Sequence, residues 1–428
     1  MPFQFVNNSG YPDEAVYVTS YGQPGDGSAP PPFYYDGFCS PPLAVVFPAS
    51  SNTNAVGTQY SYPLTALPNV DGNGRPLPPH TYQYNSPGGV WGVSDDYNFS
   101  LGVPLTVGMN SSTGLETPGI ALNAVVSFGL FEVATNGGGA PTYDVSFVDQ
   151  FSVPIEVNAV VQGASDPNTA IGFGAGGRDD VLEEIYASSA YSICAQRTGF
   201  RTVTVLSPGQ ILSQTTSAAL AASLNAGINS GWSTWGGNNN AAIDWWYGTF
   251  NYLPASDPND PNSTAINLTV NEYIPASDFP TPSATYVLSF PKPDTSDPNN
   301  PTQPGQEIFE GLPPYNVIAG TPGPGAANIQ AIIAACLQRG VFSTYADWGT
   351  HGTNPTNPDN TNDLPLPQDY YVTSPYNVYA SIIHANSLRN LGYAFSSDDH
   401  YDTSGTTAYT NTNGTVLQVI IQPFDRAK

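Results

Sequence analysis

Two acids, Glu132 and Asp149, stand in the stretch Leu122 to Ile155, LNAVVSFGLFEVATNGGGAPTYDVSFVDQFSVPI. Runs rich in Val, Phe and Ser flank a Gly-rich break at Asn136 to Gly139 with Ala140 and Pro141. That pattern predicts two antiparallel strands joined by a loop. A midpoint between Ala140 and Pro141 sets Glu132 opposite Asp149, with Cβ atoms about 4.5–5.5 Å apart on one face of the sheet. A midpoint at Gly138 instead sets Glu132 opposite Asp144, so the register is an assumption. In the first register Val126, Phe128 and Leu130 share the face of Glu132, and Tyr143, Val145 and Phe147 share that of Asp149. Two carboxyls at the end of an apolar face push each other's pKa values apart, leaving one proton donor and one base. Hydrolysis of a glycosidic bond needs that equipment.

The elements that must position these acids are short strands. Gly and Pro, 42 each, supply turns between them, and 40% hydrophobic with 12% aromatic residues argues for a packed core. Its 428 residues allow one large all-β unit or two to three domains. Nine Lys+Arg against 34 Asp+Glu, a net charge of -25, exclude nucleic acid as a partner, because no basic run exists to displace counterions. An anionic membrane is disfavoured for the same reason. Tyr, Asn, Ser and Thr dominate the polar inventory, a mixture of flat rings and neutral hydrogen-bonding groups suited to an uncharged, hydroxyl-rich polymer.

Three cysteines, Cys39, Cys194 and Cys336, allow at most one bridge. No Cys/His cluster has metal-ligand spacing, and no cofactor or metal is expected. The N-terminus lacks the basic and apolar regions of a signal peptide, and no apolar run is long enough to span a membrane. Few Lys and sequons such as those at Asn98 and Asn267 fit an extracellular or cell-surface protein.

In chain order, strands are expected at residues 3–20 around a Ser9–Pro12 turn, at Leu43–Phe47, Gln59–Tyr62 and Tyr97–Leu101, and then in the hairpin. Helices follow at Asp179–Tyr191, Pro208–Asn225, Ala326–Gln338 and Asn377–Leu388, with strands at Arg201–Leu206 and Thr415–Gln422. Ser-Asp-Pro-Asn recurs at Ser165, Ser256 and Ser296 and reads as turns, without the ligand density of a calcium loop. The expected division is a β core over 1–160, closed by strands in 390–425, and a helix- and loop-rich region over 161–389.

Phe131-Glu132-Val133-Ala134, then Ser146-Phe147-Val148-Asp149-Gln150-Phe151 and Val153-Pro154-Ile155, resemble the acid-bearing strands of glycoside hydrolase family 64, the β-1,3-glucanases with a thaumatin-like fold. Phe99 to Leu105, Thr204 to Pro208, Ala334-Ala335-Cys336 with Arg339, Asn377 to His384, and Tyr393-Ala394-Phe395 before Asp398-Asp399 resemble further stretches of that family in the same order. The likeness spans about residues 3 to 424. Val378 and Ser381 stand where the family has His and Arg, and Ala134 where it has Thr.

The resemblance implies a mainly β protein with some α: a thaumatin-like β-sandwich or barrel core, and a mixed α/β region walling a cleft. It implies inverting hydrolysis of β-1,3-glucan with Glu132 as acid and Asp149 as base. Trp91, Trp245, Trp246 and Tyr379 are the candidates for stacking on sugar rings, and Asp398 and Asp399 for bonding sugar hydroxyls. His384 reads as structural, and Glu183 with Glu184 as a solvated helix face. Two other readings stay open: a glucan-binding protein without turnover, and a self-assembling surface protein that reuses the fold.

Overall fold

Period-two alternation sets the first strand: Phe3 and Phe5 are buried while Gln4 and Val6 are half-buried, as in a sheet with one covered face. The computed structural model describes residues 2–24, 33–36, 43–46, 61–85, 93–105, 108–109, 116–117, 126–134, 142–161, 163–197, 203–237, 242–245, 248–254, 266–273, 282–290, 316–319, 334–341, 370–396, 398, 407–408 and 415–424. It divides into two compact units, one comprising Met1–Ser207, Ile382–Ala394 and Asp402–Lys428, the other Pro208–Ser381 and Phe395–Tyr401.

The strands of the first unit are β1 (Pro2–Asn7), β2 (Val16–Pro24), β3 (Phe33–Asp36), β4 (Leu43–Val46), β5 (Ser61–Pro63), β6 (Thr81–Asn85), β7 (Val93–Leu101), β8 (Gly108–Met109), β9 (Glu116–Thr117), β10 (Phe128–Ala134), β11 (Thr142–Ser146), β12 (Gln150–Phe151), β13 (Ile155–Val161), β14 (Ala164–Gly172), β15 (Ala195–Arg197) and β16 (Val203–Leu206). The second unit holds β17 (Ala242–Trp245), β18 (Gly248–Pro254), β19 (Ile266–Tyr273), β20 (Pro282–Phe290) and β21 (Asn316–Ala319). The chain returns to the first unit with β22 (Thr407–Ala408) and β23 (Thr415–Ile421).

Two sheets of the first unit form a sandwich. One has the order β14-β13-β23-β1-β6, with β1 and β23 parallel. The other runs β22-β11-β10-β7-β2-β3-β4, with β5 beside β2. Rings fill the space between them: Phe5 meets Phe99 at 5.0 Å and 80°, and Phe3 meets Phe131 at 5.9 Å and 88°. Such edge-to-face pairs add to the burial itself, worth about 1.5–3 kcal/mol for each fully buried Phe. A second cluster, Phe147, Phe151 and Phe173, packs at 4.6–5.6 Å. The described sheets are open, without a closed barrel.

Because β14 extends the first sheet, residues 161–207 cluster with the first unit, beyond the boundary expected at 160. The first Ser-Asp-Pro-Asn lies within β14 at a bulge opposite Val157 to Ala159. There the Asp166 carboxylate accepts from the Asn168 amide at 3.0 Å, a local turn inside the strand. The other two copies lie outside the described residues.

Helix α1 (Gly177–Ala187) carries Asp179 and Asp180 in its first turn, where they complement the macrodipole. In the second unit the single helix expected over 208–225 is two, α2 (Pro208–Gln214) and α3 (Ala218–Gly237). Ser217 breaks it by capping the second, its Oγ accepting from the Leu220 amide at 3.4 Å. The other elements of this unit are the antiparallel sheet β17-β18-β19-β20-β21 and a helical segment at 334–339. Helix α4 (Val378–Asn386) crosses the division between the units. No helix of the described residues is long and apolar enough to cross a membrane. Cys194 and Cys336 are buried thiols.

Candidate active site

Strand β10 builds the site. Phe131 and Val133 turn into the aromatic core, so the alternate residues Leu130 and Glu132 take the outer face, both half-buried. Strand β11 repeats the pattern: Tyr143 and Val145 are buried, and Thr142, Asp144 and Ser146 are half-buried. The ladder pairs Glu132 with Asp144 and Leu130 with Ser146. On the other side of β10, Glu132 pairs with Asp96 and Leu130 with Asn98 of β7. Acid positions on three adjacent strands therefore fall in one row, with Glu132 in the middle.

The expected pairing of Glu132 with Asp149 is thus replaced by pairing with Asp144. The hairpin is centred on Gly138, and β11 ends before Asp149 is reached. The Phe147 amide donates to the Tyr393 carbonyl at 2.7 Å, which ends the ladder. Asp149 sits in the following bend, exposed, with its carbonyl accepting from the Ser207 amide at 2.9 Å. Its neighbour Gln150 is buried, and its Nε2 donates to the Phe128 carbonyl at 3.1 Å. Asp149 is thereby held beside the start of β10. Positions 128 and 132 lie roughly 13 Å apart along a strand, four residues at about 3.3 Å each.

Residues 1–421 match the β-1,3-glucanase family, glycoside hydrolase family 64. The chain belongs to that family. It is a glycoside hydrolase, as the acid-bearing stretches led us to expect. Two solved structures are similar over nearly their whole length. A family 64 β-1,3-glucanase domain from Clostridium beijerinckii is 18% identical, with a TM-score of 0.61 and 98% of each chain covered. A laminaripentaose-producing β-1,3-glucanase in complex with laminaritetraose is 19% identical, with a TM-score of 0.64 and 99% of each chain covered. At such identities the likeness shows the fold. No match was found among curated proteins.

Of the other residues proposed for substrate in this hydrolase, two are core. Tyr379 is 0% exposed, so it offers no face to a sugar. Asp398 is also 0% exposed and forms an ion pair at 2.9 Å with Arg339, itself 0% exposed. Arg339 donates as well to the Asp398 carbonyl at 2.7 Å and lies over the Tyr370 ring at 4.5 Å. Burial and the neighbouring Asp398 push the Tyr371 hydroxyl well above its ordinary value of 10. This is a structural ion pair, not a sugar contact. Trp245 ends β17, paired with Gly248; Trp91, Trp246 and Asp399 lie outside the described residues.

The bland readings fare differently. His384 is buried and its Nδ1 donates to the Asn390 carbonyl at 3.0 Å, a structural role. Glu183 and Glu184 are exposed on α1. The Asn98 sequon fails as a glycan site, because Asn98 is 2% exposed in the middle of β7. Among the described residues no group of three or more His, Cys, Asp or Glu is placed to hold a metal ion. Sequence reasoning passed over Asp96 and gave Asp144 only as the alternative partner of Glu132. Asp144 was available in the alternative hairpin midpoint; Asp96 required the β7–β10 pairing, which no local pattern announces.

Proposed function

We propose that the hydrolase cleaves β-1,3-glucan with inversion, Glu132 acting as the general acid and Asp149 as the general base. Glu132 gives its proton to the glycosidic oxygen as that bond breaks. Asp149 takes a proton from the water whose oxygen bonds to the anomeric carbon on the opposite face. The observation that carries the reading is the placement of Asp149 in an anchored bend beside Phe128, away from the rung of Glu132. Directly opposed carboxyls stand too close to admit a water, whereas inversion needs about 6.5–9.5 Å between them. Backbone positions about 13 Å apart would leave that room if their side chains are directed toward each other. Trp91, Trp245 and Trp246 are the proposed stacking residues, and the site of action is outside the cell or at its surface.

Proton NMR of a soluble β-1,3-glucan digest, recorded before mutarotation, tests the stereochemistry. Early α-anomer supports Glu132 with Asp149. Early β-anomer would mean a covalent intermediate, and would transfer the second role to Asp144, whose direct opposition to Glu132 matches the about 5–5.5 Å spacing of retaining enzymes.

A further inference from the structure

We propose that Gln150 is a positioning residue for the reaction, its side-chain amide setting the distance from Asp149 to Glu132. The inference rests on the assignment of Asp149 as base and Glu132 as acid. Its basis is a bond that runs from the bend to the strand of the acid: Gln150 Nε2 donates to the Phe128 carbonyl at 3.1 Å, and both residues are buried.

The place of that bond follows from where β11 stops. Along a strand, carbonyls turn alternately to its two neighbours. The Ser127 carbonyl accepts from the Leu101 amide at 3.1 Å, on the β7 side, so that of Phe128 turns to the β11 side. Leu130 pairs with Ser146, and a β11 continued in that register would set Val148 opposite Phe128. The chain instead departs at Phe147, whose amide goes to the Tyr393 carbonyl, and the Gln150 side chain brings a donor to Phe128 from the bend.

The main chain of the bend is held elsewhere. Gln150 and Phe151 pair with Leu206 and Val205 of β16, and the Ser207 amide donates to the Asp149 carbonyl. Phe151 packs against Phe147 and Phe173. Strand β16 thus fixes the backbone on both sides of the Asp149 side chain, while the Gln150 amide ties that backbone to β10, four residues before Glu132. Beyond the tie the chain stays close to β10: a Cβ on Gly129 would meet the Val153 carbonyl oxygen at 2.6 Å. A buried amide bonded to a buried carbonyl is costly to break, so the tie keeps one separation between base and acid. That separation governs rate, because a misplacement of about 1 Å can cost about 100-fold.

The experiment is steady-state hydrolysis of a soluble β-1,3-glucan by Gln150→Met, which loses the donor at similar length, and by Gln150→Asn, whose amide falls one carbon short. Asp149→Asn and Gly163→Ala are run beside them, with unfolding midpoints for all four. Gly163→Ala is the stability control, strained by a φ of +85°. In both Gln150 variants kcat falls about 10- to 100-fold with KM unchanged, since the tie acts on reacting geometry and not on glucan binding. Gly163→Ala keeps the kcat of wild type. That pattern supports the inference. Wild-type kcat in either folded Gln150 variant, with Asp149→Asn inactive, overturns it. A raised KM at constant kcat also overturns it, as does a kcat loss that Gly163→Ala shares. Full activity in Asp149→Asn instead removes the assignment on which the inference rests.

Discussion

Replacing Gly172 by Ala should destabilise the first unit more than the same change at Gly163, by a margin that measures how closely two strands approach. Both glycines have φ +85°, so each Ala carries the same left-handed strain, about 1–2 kcal/mol. At Gly163 an added Cβ meets nothing within 4 Å. At Gly172 it meets the Ile155 carbonyl oxygen at 2.0 Å and Val145 Cγ2 at 3.1 Å. That oxygen cannot swing aside freely, because it accepts from the Phe173 amide at 2.8 Å. Overpacking of this kind adds about 1–3 kcal/mol, so Gly172→Ala should cost about 2–5 kcal/mol in all. For a unit of about 250 residues, at about 3 °C per kcal/mol, thermal midpoints fall by about 3–6 °C for Gly163→Ala and about 6–15 °C for Gly172→Ala. Differential scanning calorimetry of both variants decides it. Equal shifts would refute the close approach at Ile155, and with it the seating of β11 through Val145 on the first sheet.

Removing Arg339 as Arg339→Met leaves the buried Asp398 carboxyl uncompensated and should cost about 3–5 kcal/mol in urea denaturation, while Arg339→Met/Asp398→Leu recovers much of that; equal losses in the two would contradict it. The Cys194 thiol, pushed up to about 12 by burial, should resist iodoacetamide at pH 8 until the protein is unfolded; fast labelling of the native protein would show that the site opens. Burial raises the Asp13 carboxyl, but hydrogen bonds from Tyr82, Asn7 and His80 outweigh it and hold it below the ordinary value of 3.8. Its stabilising contribution is therefore present above 3.8 and lost as pH falls through the lower folded value, so the stability gap between wild type and Asp13→Asn should close in acid. A gap that widens there would reverse the assignment.

The alternation of FQF at the N-terminus, of FGLFEV and of TYDVS made the sandwich legible, because one buried face imposes a period of two on each strand. The register of the hairpin was not: Gly137, Gly138 and Gly139 carry no side chain to mark the midpoint, and β11 is ended by a bond from Phe147 to Tyr393, far along the chain. Glu132 kept its place in the site because its face is fixed by Phe131 and Val133. Asp149 was read as the strand partner of Glu132, whereas a bend, not a strand, presents it. Asp398 was misread for a related reason. Two acids after a strand look solvent-facing, and the partner that buries one of them, Arg339, lies 59 residues earlier. Tyr379 shows the same limit, as an aromatic residue on a helix gives no local sign of whether it stacks on sugar or fills the core.

The central claim is tested most directly by reducing-end release from a soluble β-1,3-glucan, comparing wild type with Glu132→Gln and Asp149→Asn. The account predicts that wild type is active and that each variant loses activity by several orders of magnitude while its unfolding midpoint stays near that of wild type. Activity that survives in either folded variant would contradict the assignment of these two carboxyls, and an inactive wild type would contradict hydrolysis of this glucan.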